Sequence, residues 1–196
     1  MPDVPSEFAP APLLATLLEH RVRFVLIGGM AAVAHGSPFP TEDIDITPEA
    51  SVANLSRLSA ALDALAARVR TESVPEGLPF THDAESLAAS DMLNLTTRYG
   101  DLDISITPSG TAGFADLITD ARDTTAFGLV LPIASLADVV RSKQAANRPK
   151  DQRVLPVLRE ILASRFRHDV AAEVADGSET SSHEEGRTRS RSDLHH

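Results

Sequence analysis

Val25-Leu26-Ile27-Gly28-Gly29-Met30, answered further along by Glu42-Asp43-Ile44-Asp45-Ile46, is the stretch whose reading decides the fold. Arg21 to Ile27 is a short β-rich run that reads as a buried strand ending at the glycines, and the Ala-rich run from Met30 to His35 reads as a helix starting at Gly29. Backbone N–H groups at a helix start lack intrahelical partners, and the helix dipole favours an anion there. Glycine lets a phosphate approach the backbone closely. A lone Gly-Gly pair also fits a tight strand-to-helix turn with no ligand. Thirteen residues separate Gly29 from Asp43, and there the pattern alternates polar and apolar, the period of a strand. Asp43 and Asp45 then share one face while Ile44 and Ile46 face the core. Carboxylates about 6–7 Å apart along the strand can share a hard cation such as Mg²⁺. Alone, Asp-x-Asp also fits the solvated face of an edge strand. A phosphate-type turn followed at this distance by two carboxylates points to a metal–triphosphate site.

Working outward, Pro10 to His20 has Leu13, Leu14, Leu17 and Leu18 at helical spacing, and Ser51 to Arg70 forms a long helix with Leu55, Leu58, Leu62 and Leu65 on one face and Ser51 as cap. Val74 to Phe80, punctuated by Pro and Gly, reads as a loop. Met92 to Thr97 and Leu102 to Thr107 read as a hairpin turning at Tyr99-Gly100-Asp101. Ala112 to Ala121 is a short helix and Thr125 to Pro132 one further strand. Ser135 caps a helix through Asn147, and Pro149 opens the next, to about Arg167. The polar residues from His168 on read as a disordered tail. The expected class is α/β (α+β): a small mixed β-sheet core with flanking helices over residues 1–133, a C-terminal basic helical module at 134–167, and the tail at 168–196.

Asp101 and Asp103 repeat the alternation, opposite Leu102, Ile104 and Ile106. If their strand lies beside that of Asp43, one of them completes a three-carboxylate site. Asp103 is favoured, because it sits deeper in the strand while an acid beside a turn is commonly structural. His35 and His82 have no ligand partners at metal spacing and read as structural or surface residues. His195 and His196 are given no metal role.

Composition narrows the remaining choices. The chain has 196 residues, enough for one domain with a core or two small modules, and aromatics make up only 4 %. No cysteine is present, so disulfides and thiolate metal sites are excluded, which fits a reducing cytoplasm. The first residues carry acids and prolines and do not read as a signal peptide, and no apolar stretch reaches membrane-spanning length. A net charge of -10 argues against phosphate-rich partners, but between Ala134 and Arg167 the basic residues Arg141, Lys143, Arg148, Lys150, Arg153, Arg159, Arg165 and Arg167 face only Asp138, Asp151 and Glu160. Lys143, Arg148 and Lys150 could reach triphosphate oxygens or form a solvated basic face, and Asp151 could be a first-turn acid that complements the helix dipole.

Gly28-Gly29, Asp43-Ile44-Asp45-Ile46 and Leu102-Asp103-Ile104 together resemble the nucleotidyltransferase superfamily of DNA polymerase β type, over roughly residues 12–165. The segment Lys143 to Asp151 resembles the branch of AbiEii-type toxins of toxin–antitoxin systems, tRNA-modifying ones included. The resemblance implies an NTP-dependent enzyme releasing pyrophosphate, with two Mg²⁺ ions on Asp43, Asp45 and Asp103, and Asp103 also helping to activate the acceptor hydroxyl. It makes Gly28 and Gly29 the triphosphate turn, with Lys143, Arg148 and Lys150 on the nucleotide phosphates, and Lys143 and Asp151 functional. It implies nucleotide addition to the 3′ end of tRNA and a cognate antitoxin as partner, with a small-molecule or protein hydroxyl, or a silent binding domain, as alternatives. Two departures stand out: many members have Gly-Ser where this chain has Gly28-Gly29, and many carry an Arg before the Thr where this chain has Phe39-Pro40 before Thr41. The side-chain hydroxyl contact to phosphate is then missing, and the grip on the triphosphate shifts toward the basic helices.

Overall fold

In the computed structural model, the backbone is described for residues 8–181 and side chains to residue 168. The chain divides into two units, Met1–Leu158 and Arg159–His196. In the first unit helix α1 (Pro10–Glu19) leads into strand β1 (Phe24–Leu26), helix α2 (Gly28–Ala34) and strand β2 (Asp43–Pro48). Helix α3 (Val52–Ala64) follows, then β3 (Arg68–Thr71), β4 (Val74–Leu78), α4 (Ala84–Ala88), β5 (Met92–Thr97) and β6 (Gly100–Ser105). Helix α5 (Phe114–Asp120), the hairpin β7 (Arg122–Ala126) and β8 (Leu129–Ile133), helix α6 (Leu136–Ala146) and helix α7 (Pro149–Ser181) complete the order.

The eight strands form one mixed sheet in the order β4-β3-β5-β6-β2-β1-β8-β7. β2 lies at its centre, antiparallel to β1 and parallel to β6. Ile44 and Ile46 on β2, with Leu102 and Ile104 on β6, are buried, as are Leu13, Leu14 and Leu17 of α1 and Leu55, Leu58 and Leu62 of α3. Burying such aliphatic side chains stabilises the fold by about 1.5–3 kcal/mol each. Asn54 fastens α3 to the sheet: Arg23 N–H donates to its Oδ1 at 2.7 Å, and its Nδ2 donates to the carbonyls of Arg23 and Glu49 at 2.8 and 2.9 Å. The mixed sheet with flanking helices is the α/β architecture expected from the pattern.

Three local expectations are corrected. The long helix ends at Ala64 rather than Arg70, because Ala66 turns left-handed (φ 52°) and the Ala67 N–H bonds back to the Leu62 carbonyl. Such a stop is normally announced by glycine, and none stands there. Val74 to Phe80 is not all loop: Pro75 and Gly77 lie in the edge strand β4, where a missing donor costs no ladder bond. Thr125 to Pro132 is not one strand but part of a hairpin that turns at Phe127-Gly128, both with positive φ (54° and 74°), as a two-residue primed turn requires.

α6 packs against α2 within the first unit, burying Leu136, Val139 and Val140. In the second unit the described backbone is helical to Ser181, past the expected end at about Arg167; the run Ala171-Ala172-Glu173-Val174-Ala175 suits a helix. The rest of the expected disordered tail, residues 182–196, lies outside the described residues.

Candidate active site

Parallel pairing of β2 and β6 sets the acids of the two strands side by side: Asp45 is the register partner of Asp103, and Asp43 of Asp101. Period-two alternation puts these carboxylates on one face, opposite Ile44, Ile46, Leu102 and Ile104. Asp43, Asp45 and Asp103 each offer an oxygen within 4.8 Å of the others. Asp101 is outside this cluster. Like charges so close disfavour full ionisation. Burial pushes the Asp103 carboxyl up to about 6, with the Asp45 and Asp43 charges adding to it and Arg70 opposing. Asp45 is raised too, by burial first and Asp43 second, against the Gly29 N–H and the Lys150 and Lys143 charges. Crowded oxygen donors that lack enough counter-charge fit a hard divalent cation such as Mg²⁺.

The glycine turn meets this cluster directly. Ile27 ends the extended segment, Gly28 takes φ +64°, and α2 begins. Gly29 N–H donates to Asp45 Oδ2 at 3.2 Å, so the helix start already holds a carboxylate oxygen. Thr41, in the loop after α2, donates its hydroxyl to Asp43 Oδ1.

The basic groups come from the junction of α6 and α7. Asn147, left-handed at φ 50°, closes α6, and Pro149 opens α7. Asp151, fully buried, receives Arg148 Nε at 2.7 Å and Lys143 Nζ at 3.3 Å. Burial works to raise its carboxyl, but the Arg148 hydrogen bond and the Lys143 and Arg148 charges outweigh it and hold it below the usual carboxylate range. Asp151 thus anchors the two cations and does not itself line the cleft.

Two cavities meet at Asp45. One, about 320 Å³, is mostly apolar and is lined by Gly28, Met92, Leu117, Val139, Lys143 and Arg148 among others. The second, about 650 Å³, has a lining divided evenly between polar and apolar surface and includes Asp43, Asp103, Arg70, Asn94, Arg148 and Lys150. Gly28, Lys143, Arg148 and Lys150 therefore share these cavities with the acids. Of the two histidines singled out, His35 Nε2 lies 2.7 Å from the Ala134 carbonyl and His82 Nδ1 2.8 Å from Ser59 Oγ, both structural contacts away from the cleft.

Sequence reasoning missed Arg70. It pairs with Asp101 at 3.3 Å and Asp103 at 3.1 Å from β3. Only the pairing of β3 with β5, and of β5 with β6, brings it there.

The fold is also found among solved structures. The lincomycin-bound lincosamide antibiotic adenylyltransferase LnuA matches with a TM-score of 0.52 at 16 % identity, over 76 % of this chain and 94 % of that one. The chain has the nucleotidyltransferase fold. The solution structure of the antibiotic-resistance factor ANT(2'')-Ia matches over 85 % of this chain and 94 % of that one, at 16 % identity and a TM-score of 0.44. No protein-family model matches the chain, and no curated protein matches it in sequence. Among the described residues no helix is long and apolar enough to cross a membrane.

Proposed function

We propose that this protein is a divalent-metal-dependent nucleotidyltransferase that moves a nucleotide from an NTP to a hydroxyl of a small molecule. The observation that carries the reading is the convergence of Asp43, Asp45 and Asp103 within 4.8 Å, next to the Gly28-Gly29 turn. These three would hold Mg²⁺, which when bound supplies positive charge to the triphosphate and lowers the pKa of an acceptor hydroxyl.

The chain's own residues supply the rest. The amides at the start of α2 and the Lys143, Arg148 and Lys150 charges bind the triphosphate. Asp103 accepts the proton of the acceptor hydroxyl. The acceptor oxygen bonds to the α-phosphorus, the bond from that phosphorus to the bridging oxygen breaks, and pyrophosphate leaves with the electron pair. Anchoring of Lys143 and Arg148 by buried Asp151 fixes the geometry of two of these cations in advance.

One feature favours a small acceptor over tRNA. Paired cavities of about 320 and 650 Å³ meeting at Asp45 suit one nucleotide and one compact partner. A tRNA acceptor, with its toxin setting, is the competing reading.

One assay tests both. The protein is incubated with each α-labelled NTP, Mg²⁺, and in separate reactions lincomycin, a mixture of aminoglycosides, or total tRNA, beside Asp43→Ala. Label on a small molecule that vanishes in the variant is expected. Label on tRNA alone would transfer the reading to the nucleic acid, and no label with any acceptor, together with no nucleotide binding, would overturn it.

A further inference from the structure

Arg70 crosses from β3 to both acids of β6, with Nη1 3.3 Å from Asp101 Oδ2 and Nη2 3.1 Å from Asp103 Oδ1. Its Nε is buried and has no hydrogen-bond partner, so the side chain is only partly satisfied where it stands. The bland account is an ion pair bracing the sheet face, and partly exposed pairs of that kind contribute about 1 kcal/mol at most. Three observations ask more of it. Asp103, the carboxylate it holds, belongs to the cluster whose ligand oxygens lie within 4.8 Å of one another. A guanidinium and a metal ion therefore compete for one carboxylate. Arg70 also lines the cavity of about 650 Å³ shared with Asp43, Asp45 and Asp103, so a displaced guanidinium has room to turn away. Finally, its second contact, Asp101, stands outside the cluster and can keep one end of the fork when Asp103 is given up.

Resting on the metal-dependent reading of this site, we propose that Arg70 is a displaceable internal counter-cation. In the metal-free protein it neutralises and positions Asp103, and it yields that carboxylate to the arriving divalent ion while staying on Asp101. Ion binding at Asp103 then carries the cost of breaking the Arg70 contact. Arg70 is a positioning residue in this scheme and touches no reacting atom.

Mn²⁺ titration followed by electron paramagnetic resonance reads this without turnover. Wild type, Arg70→Ala and Arg70→Lys are compared with and without a non-hydrolysable ATP analogue, and thermal melts report folding. Without nucleotide, Arg70→Ala is expected to bind Mn²⁺ about fivefold more tightly than wild type, the weight of one such ion pair. Arg70→Lys, a point charge without the fork, falls between them. The ratio of the wild-type and Arg70→Ala affinities should stay the same when the analogue is present, since the Arg70 contact is broken in either case. Affinities in Arg70→Ala equal to or weaker than wild type would overturn the proposal; if that variant does not fold, an unchanged affinity in Arg70→Lys does so instead. Failure of wild type to bind Mn²⁺ under any condition would count against the nucleotidyltransferase reading itself, a different outcome from either.

Discussion

Gly28 and Asp45 are packed so closely that a Cβ on residue 28 would sit 1.9 Å from Asp45 Oδ2. The glycine is therefore required by the carboxylate as well as by its own φ of +64°, and the phosphate turn and the metal face are parts of one structure. Gly28→Ala is expected to expel the Asp45 side chain from its place or unwind the start of α2. Mn²⁺ binding should fall at least tenfold, and urea unfolding should show a loss of about 1–3 kcal/mol. A variant with unchanged metal affinity would mean that the two features tolerate separation.

Gly29 has a parallel relation with Thr41, whose Oγ1 lies 2.5 Å from the position of an added Cβ. The Thr41 hydroxyl, which donates to Asp43, thus fills the space that a serine at position 29 would use. Gly29→Ser alone should clash and weaken binding of an ATP analogue by about tenfold. Combined with Thr41→Gly, which removes both the Oγ1 and the Cβ that would lie 2.9 Å away, Gly29→Ser should recover most of the loss. Calorimetry of the two single variants and the double variant checks the compensation, and additive losses would refute it.

The acids were legible because a strand has a period of two, and Asp43, Asp45, Asp101 and Asp103 keep it beside isoleucine and leucine. That Asp103 rather than Asp101 joins the cluster follows from the depth of each in its strand, which sequence position also conveys. Arg70 was not legible. The Leu55-Leu58-Leu62-Leu65 periodicity runs up to Ala66 with no glycine to stop it, so Arg70 reads as helix. Its place across two strands from Asp103 depends on long-range pairing that no local pattern records. Asp151 was half legible: its proximity to Arg148 at three residues' spacing is local, but its complete burial and its contact with Lys143 come from the packing of α6 and α7.

That burial makes Asp151 the most sensitive acid of the basic junction. Removing it leaves Lys143 and Arg148 without the carboxylate both contact, and Lys143 is itself little exposed, at 12 %. Asp151→Ala should cost about 3 kcal/mol, as broken buried pairs do. Because the Asp151 carboxyl is held below its ordinary value, its contribution is present above the unfolded pKa and is lost as pH falls below it. Urea unfolding of wild type and Asp151→Asn at pH 7 and pH 3.5 should show a difference that narrows at the lower pH.

Asp103 has the opposite sign. Its folded pKa, about 6, is above its unfolded value of 3.8, so between these the folded protein binds the extra proton. In the absence of metal, stability should therefore fall as pH rises from about 4 to about 6 and then level off, as far as this group is concerned. Asp103→Asn, which cannot ionise, should remove that slope and be more stable than wild type at pH 7. A divalent ion needs the ionised form, so its binding in this window must release a proton. Mg²⁺-induced stabilisation in thermal melts should accordingly be full above pH 7 and fade below pH 6. The Asp103→Asn variant should show little Mg²⁺ response at any pH, and a wild-type response that is flat from pH 5 to 8 would show that Asp103 does not share the ion.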